Sequence, residues 1–458
     1  MLLPFLQRFV ATFLPASFRL LAVQSGWLKR QGKIDAFEFL ISMVFGQASA
    51  LRQTLVSQTL TFEEPVTRQA VHQRFTAEAV DYFKSAFSHV LAHTLDWKPG
   101  HSQAIDLLEH FTAVYLLDST SFDVSETLKD IFASCGGAGS SANVKVFLRY
   151  ELISGRLEPL KLLEGKRSDQ GQALSAAQRL RPGELQINDK GFFDAKAWQA
   201  AGQAQAYLLM PLPHSAILRT CAGPQGPEQL LDLAGALAHA TEDRMEWPSV
   251  MMGTPGHRAG PVRLIAFRLS PESAGRHRAG LRESMRTQGR TPSAKALQLA
   301  GWLLLVTNAP AAKLPSSAAA YLYRVRWQIE LIFRQAKSVL RLDKTESDNP
   351  FRIQCEIWAR LIAAVLLFLC HAHANAQCWL KHKSEISFEK LIRALQQWGH
   401  SIARAFSQGP ETLLALLRTV WSHLMLNARK GRQKLRTNTW DSLLNLWLQP
   451  TTPVATQG

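Results

Sequence analysis

The stretch from Tyr321 to Asp348, YLYRVRWQIELIFRQAKSVLRLDKTESD, constrains this chain more than any other. Its periodicity predicts one long helix. At 3.6 residues per turn, Tyr323, Arg326, Glu330, Arg334, Lys337 and Arg341 fall near one face. Ile329, Ile332, Ala336, Val339 and Leu340 fall on the other, where they would pack on a core. A single carboxylate is thus held on a rigid element with cations a turn to either side. The plain reading is a surface helix laced with i,i+4 ion pairs. Against it, the cations outnumber the acid on that face and repel one another unless an external anion neutralises them. A lone acid in such company fits a carboxylate that holds a divalent metal while its neighbours grip phosphates.

Strand-like runs upstream deliver two further acids. Ala113 to Leu117 (AVYLL) predicts a short buried strand leading to Asp118, and Leu185 to Ile187 predicts another leading to Asp189 in DKGFFD. Between them, Val144 to Ile153 and Leu157 to Leu163 flank Ser154-Gly155 as a hairpin, and Asp169 to Leu180 reads as a helix stopped by Pro182-Gly183. A helix near Ala195 to Ala201 and a strand at Gln205 to Met210 follow. This order predicts an α/β fold, a ribonuclease-H-like mixed sheet covered by helices, with the ends of the first and fourth strands side by side. Asp118 and Asp189 would then be neighbours. Aspartates after strands are common, and Asp123 and Asp194 are the nearest rivals.

At 458 residues the chain should hold several domains. Residues 1–100 predict a helical N-terminal, DNA-binding domain. In it, Pro65 and Thr67 suit a helix start, and Phe75-Thr76 a break before a longer helix from Ala77. Two helices so joined can place one in a DNA groove, and a plain helical bundle is an equally good reading. Trp97 to Gly100 reads as the linker out. Residues 101–210 hold the first part of the core, and 211–300 a β-rich basic insertion. Its Arg258, Arg263, Arg268, Arg276, Arg278, Arg282, Arg286, Arg290 and Lys295 read as a nearly unopposed stretch facing phosphates, with a solvated loop as the alternative. Residues 301–375 carry the second part of the core. There Trp302 to Val306 is a strand and Pro310 to Ala318 a loop before the long helix. Residues 376–458 read as a helical C-terminal region with candidate dimer contacts, including a helix at Trp440 to Leu448 and a basic cluster at 429–436.

The net charge of +16 favours a polyanionic partner, nucleic acid ahead of an anionic membrane. The apolar run Leu361 to Leu369 is too short to span a bilayer and reads as a core helix, so no membrane partner is expected. Five irregularly spaced cysteines suit a reducing, cytoplasmic setting. Cys370, His371, His373 and Cys378 lack Cys-x-x-Cys geometry, which argues against zinc. Gly136 to Ser140 lacks the lysine of a phosphate-binding loop, which leaves ATP use unsupported.

Tyr323, Arg326, Glu330 and Lys337, at the spacing Tyr-x2-Arg-x3-Glu-x6-Lys with Trp327-Gln328-Ile329 between, resemble the signature of IS4-family DDE transposases. LLDST around Asp118 resembles that family's first-aspartate motif. NDKGFF around Asp189 resembles the second, with Lys190 where arginine is usual, and LLLVTN from Leu303 resembles the strand before the signature helix. The resemblance covers about residues 30 to 375 well. It implies a ribonuclease-H-like core interrupted by a β-rich insertion. It also implies an enzyme that cuts at transposon ends and joins the 3′-hydroxyl to target DNA, using Mg2+ with Mn2+ as substitute. Carried over by motif, Asp118, Asp189 and Glu330 become the metal-binding catalytic triad. Tyr323, Arg326, Arg334, Lys337 and Arg341 become DNA contacts, and Trp302 the candidate for stacking a flipped base. The implied partners are double-stranded DNA with terminal inverted repeats, target DNA and a second protomer in a homodimer, with the protein on the nucleoid when bound. A metal-dependent nuclease that does not join strands, and a catalytically silent DNA-binding derivative, are the alternatives.

Overall fold

The computed structural model describes residues 2–30, 32–47, 55–62, 64–94, 110–135, 140–152, 157–213, 216–221, 228–254, 257–287, 289–323, 326, 347, 349–382 and 384–430. Glu330, Arg334, Lys337 and Arg341 lie outside the described residues. So do Trp97 to Gly100, the turn after Cys135, the helix expected at Trp440 to Leu448 and most of the cluster at 429–436.

In chain order the helices of the first part are α1 (Leu2–Thr12), α2 (Pro15–Gln24), α3 (Ala36–Gln47), α4 (Leu55–Thr59), α5 (Arg68–His72) and α6 (Ala77–Thr94). There follow β1 (Val114–Asp123), β2 (Asn143–Glu151), β3 (Leu157–Glu164), α7 (Gln170–Ala177), β4 (Leu185–Asn188), α8 (Ala195–Gln203) and β5 (Tyr207–Pro211). Next are β6 (Leu218–Cys221), β7 (Glu228–Leu230), α9 (Leu233–Ala238), β8 (Arg244–Thr254), β9 (His257–Arg268), α10 (Pro271–Arg286), α11 (Ala294–Leu299) and β10 (Trp302–Thr307). Finally come α12 (Pro350–His382), α13 (Phe388–Ser407) and α14 (Pro410–Asn427). The strands hydrogen-bond in the order β3-β2-β1-β4-β5-β10-β9-β8-β6-β7. Its first five members have the ribonuclease-H-like order, with β4 parallel to both β1 and β5 and the β2–β3 hairpin antiparallel.

Two compact units divide the chain. One comprises Met1–Ser102, Ser119–Arg167 and Glu330–Arg436. Its helices form an aromatic bundle in which the C-terminal α13 gives Phe406 to Phe9, Phe13, Phe37 and Phe45, at ring-centroid separations of 6.4, 5.5, 5.7 and 5.3 Å. The break at Phe75-Thr76 and the start of α6 fall where the sequence predicts. Helix α6 buries Ala79, Tyr82, Phe83, Ala86 and Val90 on one face against the bundle and leaves Asp81, Lys84 and Ser88 exposed. Helix α12 begins where Asn349 Oδ1 accepts from the backbone N–H of Phe351 and Arg352, with Pro350 leading the first turn. By length and composition α12 is apolar enough to cross a bilayer, yet 83% of its most apolar window is buried in the protein. Its residues Leu361 to Leu369 form the core helix that the sequence predicts.

His371 on α12 lies with Nε2 3.0 Å from the Ile386 carbonyl oxygen and its ring edge-on to Phe388. Burial pushes its imidazole down to about 4 from the ordinary 6.5. The folded state therefore keeps the ring neutral while the unfolded chain takes up a proton. Stability is expected to be full above pH 6.5 and to fall as pH drops toward about 4. His371→Gln should flatten that slope in denaturant titrations across the window, and an unchanged slope would assign it to other groups.

The other unit comprises Gln103–Asp118, Ser168–Ile329 and Thr437–Gly458. Its core packs Trp198 of α8 with Tyr115, Leu208, Met210, Leu264, Trp302, Leu304 and Val306. Gly183, at φ +81°, supplies the left-handed turn that stops the segment after α7, and its N–H donates to the Gln205 carbonyl.

Three expectations are corrected here. Strand β1 does not end at Leu117: it runs through Asp123, because Ser119 to Asp123 alternate toward the buried Phe122 and do not turn. Asp118 is therefore mid-strand. The helix before the signature starts at Ser316, not after Ala318, with the Ala319 N–H donating to the Pro315 carbonyl, as an alanine-rich run behind a proline favours.

The third correction concerns the basic insertion. It is not nearly unopposed in charge, and its strands continue the core sheet. Strand β9 pairs antiparallel with the whole of β10, and α10 makes the positions of Arg276, Arg278, Arg282 and Arg286 helical. Arg258, Arg263, Arg268, Arg276 and Arg286 each face a carboxylate, from Glu228, Glu246, Asp243, Glu272 and Glu283 in turn. These acids are distant in sequence or one helical turn away, so a linear charge count misses them. Arg282, Arg290 and Lys295 are exposed and have no carboxylate partner among the described residues.

Candidate active site

Parallel pairing of β1 with β4 sets the site. Leu116 is level with Ile187 and Leu117 with Asn188. One residue further along both chains come Asp118 and Asp189, on adjacent strands about 4.8 Å apart. Side chains alternate along a strand, so both carboxylates belong to the same face as Leu116 and Ile187. The strands can approach because their shared stretch is apolar and buried: Val114, Leu116, Leu117, Leu185 and Ile187 are at most 1% exposed. The polar residues begin where burial ends, and Asp118 and Asp189 are both only partly buried.

After Asp189 the chain makes a single 3-10 turn, Lys190–Phe192, anchored by buried Phe192. Lys190 is exposed beside this acid. It also lies close enough to α10 to disfavour a proton on His277, whose pKa is lowered first by burial and then by Arg276 and Lys190. The start of the basic helix thus neighbours the second-aspartate turn.

Arg326 brings its Nη2 to 3.9 Å from Asp189 Oδ1, and its guanidinium carbon lies 5.2 Å from the Tyr323 ring centroid. The Arg326 side chain is 10% exposed against 40% for Asp189, so the cation approaches from the protein side and leaves the carboxylate open to solvent. The sequence marks Arg326 as a phosphate contact. It gives no sign of the contact with Asp189, because the two residues are far apart in the chain.

The rivals have other work. Asp194 caps α8, its Oδ1 accepting from the Lys196 N–H at 2.8 Å. Asp123 Oδ1 accepts from Asn143 Nδ2 at 2.9 Å. Asp194→Ala should lower stability by about 1 kcal/mol, the usual worth of an N-cap, while leaving DNA cleavage intact. Thermal melts and a cleavage assay on the same preparation check both halves.

Trp302, at the start of β10, is 7% exposed, and the Arg268 guanidinium covers its ring at 4.5 Å. By strand spacing it lies roughly 14 Å from Asp189, two strands across and three residues along. Arg268 is itself held by Asp243 and by the Ala240 carbonyl. A base could reach the Trp302 ring only if Arg268 moved.

Both aspartates offer hard oxygen donors, the set suited to magnesium or manganese. Among the described residues no three His, Cys, Asp or Glu side chains form a metal cluster, and Glu330, the third donor of the motif, lies outside them. Of the zinc candidates, His373 is stacked on Phe5 at 4.0 Å.

The family described as "Transposase DDE domain" matches residues 109–366, more than half of the chain. The chain belongs to the DDE transposases. This transposase is 26% identical over 392 residues to the transposase for insertion sequence element IS231F of Bacillus thuringiensis subsp. israelensis, covering 81% of this chain and 80% of that protein. The IS231B transposase of Bacillus thuringiensis subsp. berliner matches at 25% identity over 93% of this chain and 92% of its own. A putative transposase InsL of IS186A from Escherichia coli K12 is 40% identical over 123 residues, covering 26% of this chain and 33% of that one. Among solved structures, a piggyBac transposase synaptic complex with hairpin DNA covers 90% of this chain at 11% identity and a TM-score of 0.43. The IS4-family resemblance drawn from the motifs is borne out. The transposase is accordingly a phosphoryl-transfer enzyme of insertion sequence elements.

Proposed function

We propose that this transposase cuts phosphodiester bonds at the ends of its insertion sequence and transfers the freed 3′-hydroxyl to target DNA. The observation that carries the reading is the parallel register that places Asp118 beside Asp189 on one face of the sheet. Asp118, Asp189 and Glu330 would hold magnesium, with manganese as substitute. When bound, such ions activate the attacking oxygen and neutralise the leaving one.

The chain's own residues do the rest. Asp118 and Asp189 present their carboxylates from a rigid sheet, which fixes where the reacting phosphate must lie. Arg326 offers a forked contact to a phosphate and Lys337 a point charge, with Tyr323, Arg334 and Arg341 beside them. In the first step a water oxygen bonds to phosphorus, the P–O3′ bond breaks, and the 3′-oxygen departs as a hydroxyl. In the second, that hydroxyl bonds to a target phosphorus and displaces the target's own 3′-oxygen.

The DNA partners are the element's terminal inverted repeats and a target duplex, bridged by a homodimer acting on the nucleoid in the cytoplasm. Net charge +16 supports the polyanion, and exposed Arg282, Arg290 and Lys295 give the insertion a phosphate-facing set. Stacking of a flipped base on Trp302 belongs to this reading and requires Arg268 to swing away.

Incubation with duplex DNA carrying the flanking repeats and magnesium, with products separated by denaturing electrophoresis, tests the proposal. Nicks at the element ends followed by joined molecules are expected. Nicks that never join, even from a pre-cleaved end, would reassign the protein as a nuclease. Binding without any nick would make it a silent derivative.

A further inference from the structure

Two histidines stand one turn apart on α6, far along the chain from the acids that the reaction uses. His89 and His93 stack with ring centroids 4.0 Å apart and planes tilted by 35°. Their spacing of four residues puts both side chains on one helix face, where their neighbours on α6 are the uncharged Ser85, Ala86 and Ala92. His93 is exposed and His89 half-buried. Each ring is held on one nitrogen and open on the other. His93 Nδ1 lies 2.9 Å from the His89 carbonyl oxygen. A carbonyl only accepts, so the neutral ring carries its proton on Nδ1 and keeps the lone pair of Nε2. His89 is anchored alike: one ring nitrogen donates to the Thr12 carbonyl at the end of α1, and Phe18 of α2 meets the ring edge-on at 5.0 Å. Burial first, and then His93, lowers the pKa of His89, which keeps that ring neutral near pH 7.

We propose that His89 and His93 form a two-imidazole site for a transition-metal ion of the Zn2+, Ni2+ or Cu2+ class, with water in its remaining positions. A backbone carbonyl behind each ring fixes tautomer and orientation, as the outer shell of metal-binding histidines does. The pair also occupies the last turns of an 18-residue helix, the end at which a cation is favoured. Imidazole nitrogens select these ions, whereas magnesium takes oxygen donors, so the site is separate in chemistry from Asp118 and Asp189. The ion braces the helical bundle: it locks the His89 ring, and that ring engages Thr12 on α1 and Phe18 on α2.

The test uses the full chain, stripped of metal and returned to excess Mg2+ so that oxygen sites are filled. Cu2+ is titrated in and followed by electron paramagnetic resonance. The native protein should bind a further equivalent that His93→Gln does not, with nitrogen splitting from a pair of imidazoles. His93→Gln and His89→Gln should each weaken that ion by at least about tenfold, since loss of even an outer-shell partner costs ~10–100-fold. Zn2+ should raise the melting temperature of the native protein and leave that of His93→Gln where it was. His93→Cys, which returns a ligand suited to zinc, should recover the Zn2+ shift.

Equal Cu2+ stoichiometry and affinity in the native and His93→Gln proteins would overturn the proposal, as would a Zn2+ shift of the same size in both. His93 is exposed, so the metal-free melting curve of His93→Gln should match the native one. If it does not, His93→Asn replaces that variant, with the same expected loss and the same overturning result.

Discussion

Asp189→Asn, Asp118→Asn and Glu330→Gln are each expected to lower strand cleavage by about 10²–10³-fold or more, the scale for removing a group that stabilises transition-state charge. DNA affinity should hold or rise slightly. The amide keeps the shape of the carboxylate, and at Asp189 it removes a negative charge beside Arg326 and Lys190. Single-turnover cleavage of end-labelled DNA and a mobility-shift titration, run on one preparation, separate the two effects. Cleavage at near-native rate by Asp189→Asn would remove that residue from the chemistry and leave the β1–β4 adjacency without a catalytic role. Cleavage retained by Glu330→Gln would do the same for the third acid.

Arg263→Ala is expected to destabilise the fold by about 3 kcal/mol, the cost of breaking a buried charge pair. Arg263 is 6% exposed. Its Nε lies 2.8 Å from Glu246, and its terminal nitrogens donate to the carbonyls of Ala309 and Leu314 at 3.0–3.1 Å. Truncation strands all three acceptors. It also frees the segment that leads from β10 into the signature helix, so cleavage should fall in step with stability. Arg282→Ala on the exposed face of α10 should instead leave stability nearly unchanged and reduce the salt dependence of DNA binding by about one unit of slope. Calorimetry and affinity at several salt concentrations decide between the roles. A stable Arg263→Ala protein with a shallower salt slope would return Arg263 to the DNA-facing set.

The contrast between these arginines shows what a linear reading can and cannot recover. Periodicity suffices for the helix starts at Thr67 and Ala77, the paired strands β2 and β3, and the strand leading to Asp189, because each is set by neighbours within a few residues. The adjacency of Asp118 and Asp189 follows from element order, since a parallel strand pair has few alternatives. Pairing partners for Arg258, Arg263 and Arg268 come from strands or loops some fifteen to thirty residues away, and nothing local announces them. The same is true of Arg326 and Asp189. DSTSFD has turn-forming composition, and pairing with neighbouring strands overrides that preference to carry β1 through Asp123.

Phe406 on α13 closes over Phe9, Phe13, Phe37 and Phe45, so the opening helices finish their packing only against a residue made long after them. During synthesis those rings wait for Phe406, which suits binding by chaperones and slows final closure. A message that stopped before α13 would yield a sticky fragment destined for proteolysis, not a soluble competitor for the element's ends. Premature stop codons in a copy of this gene should therefore silence that copy without repressing its intact sisters.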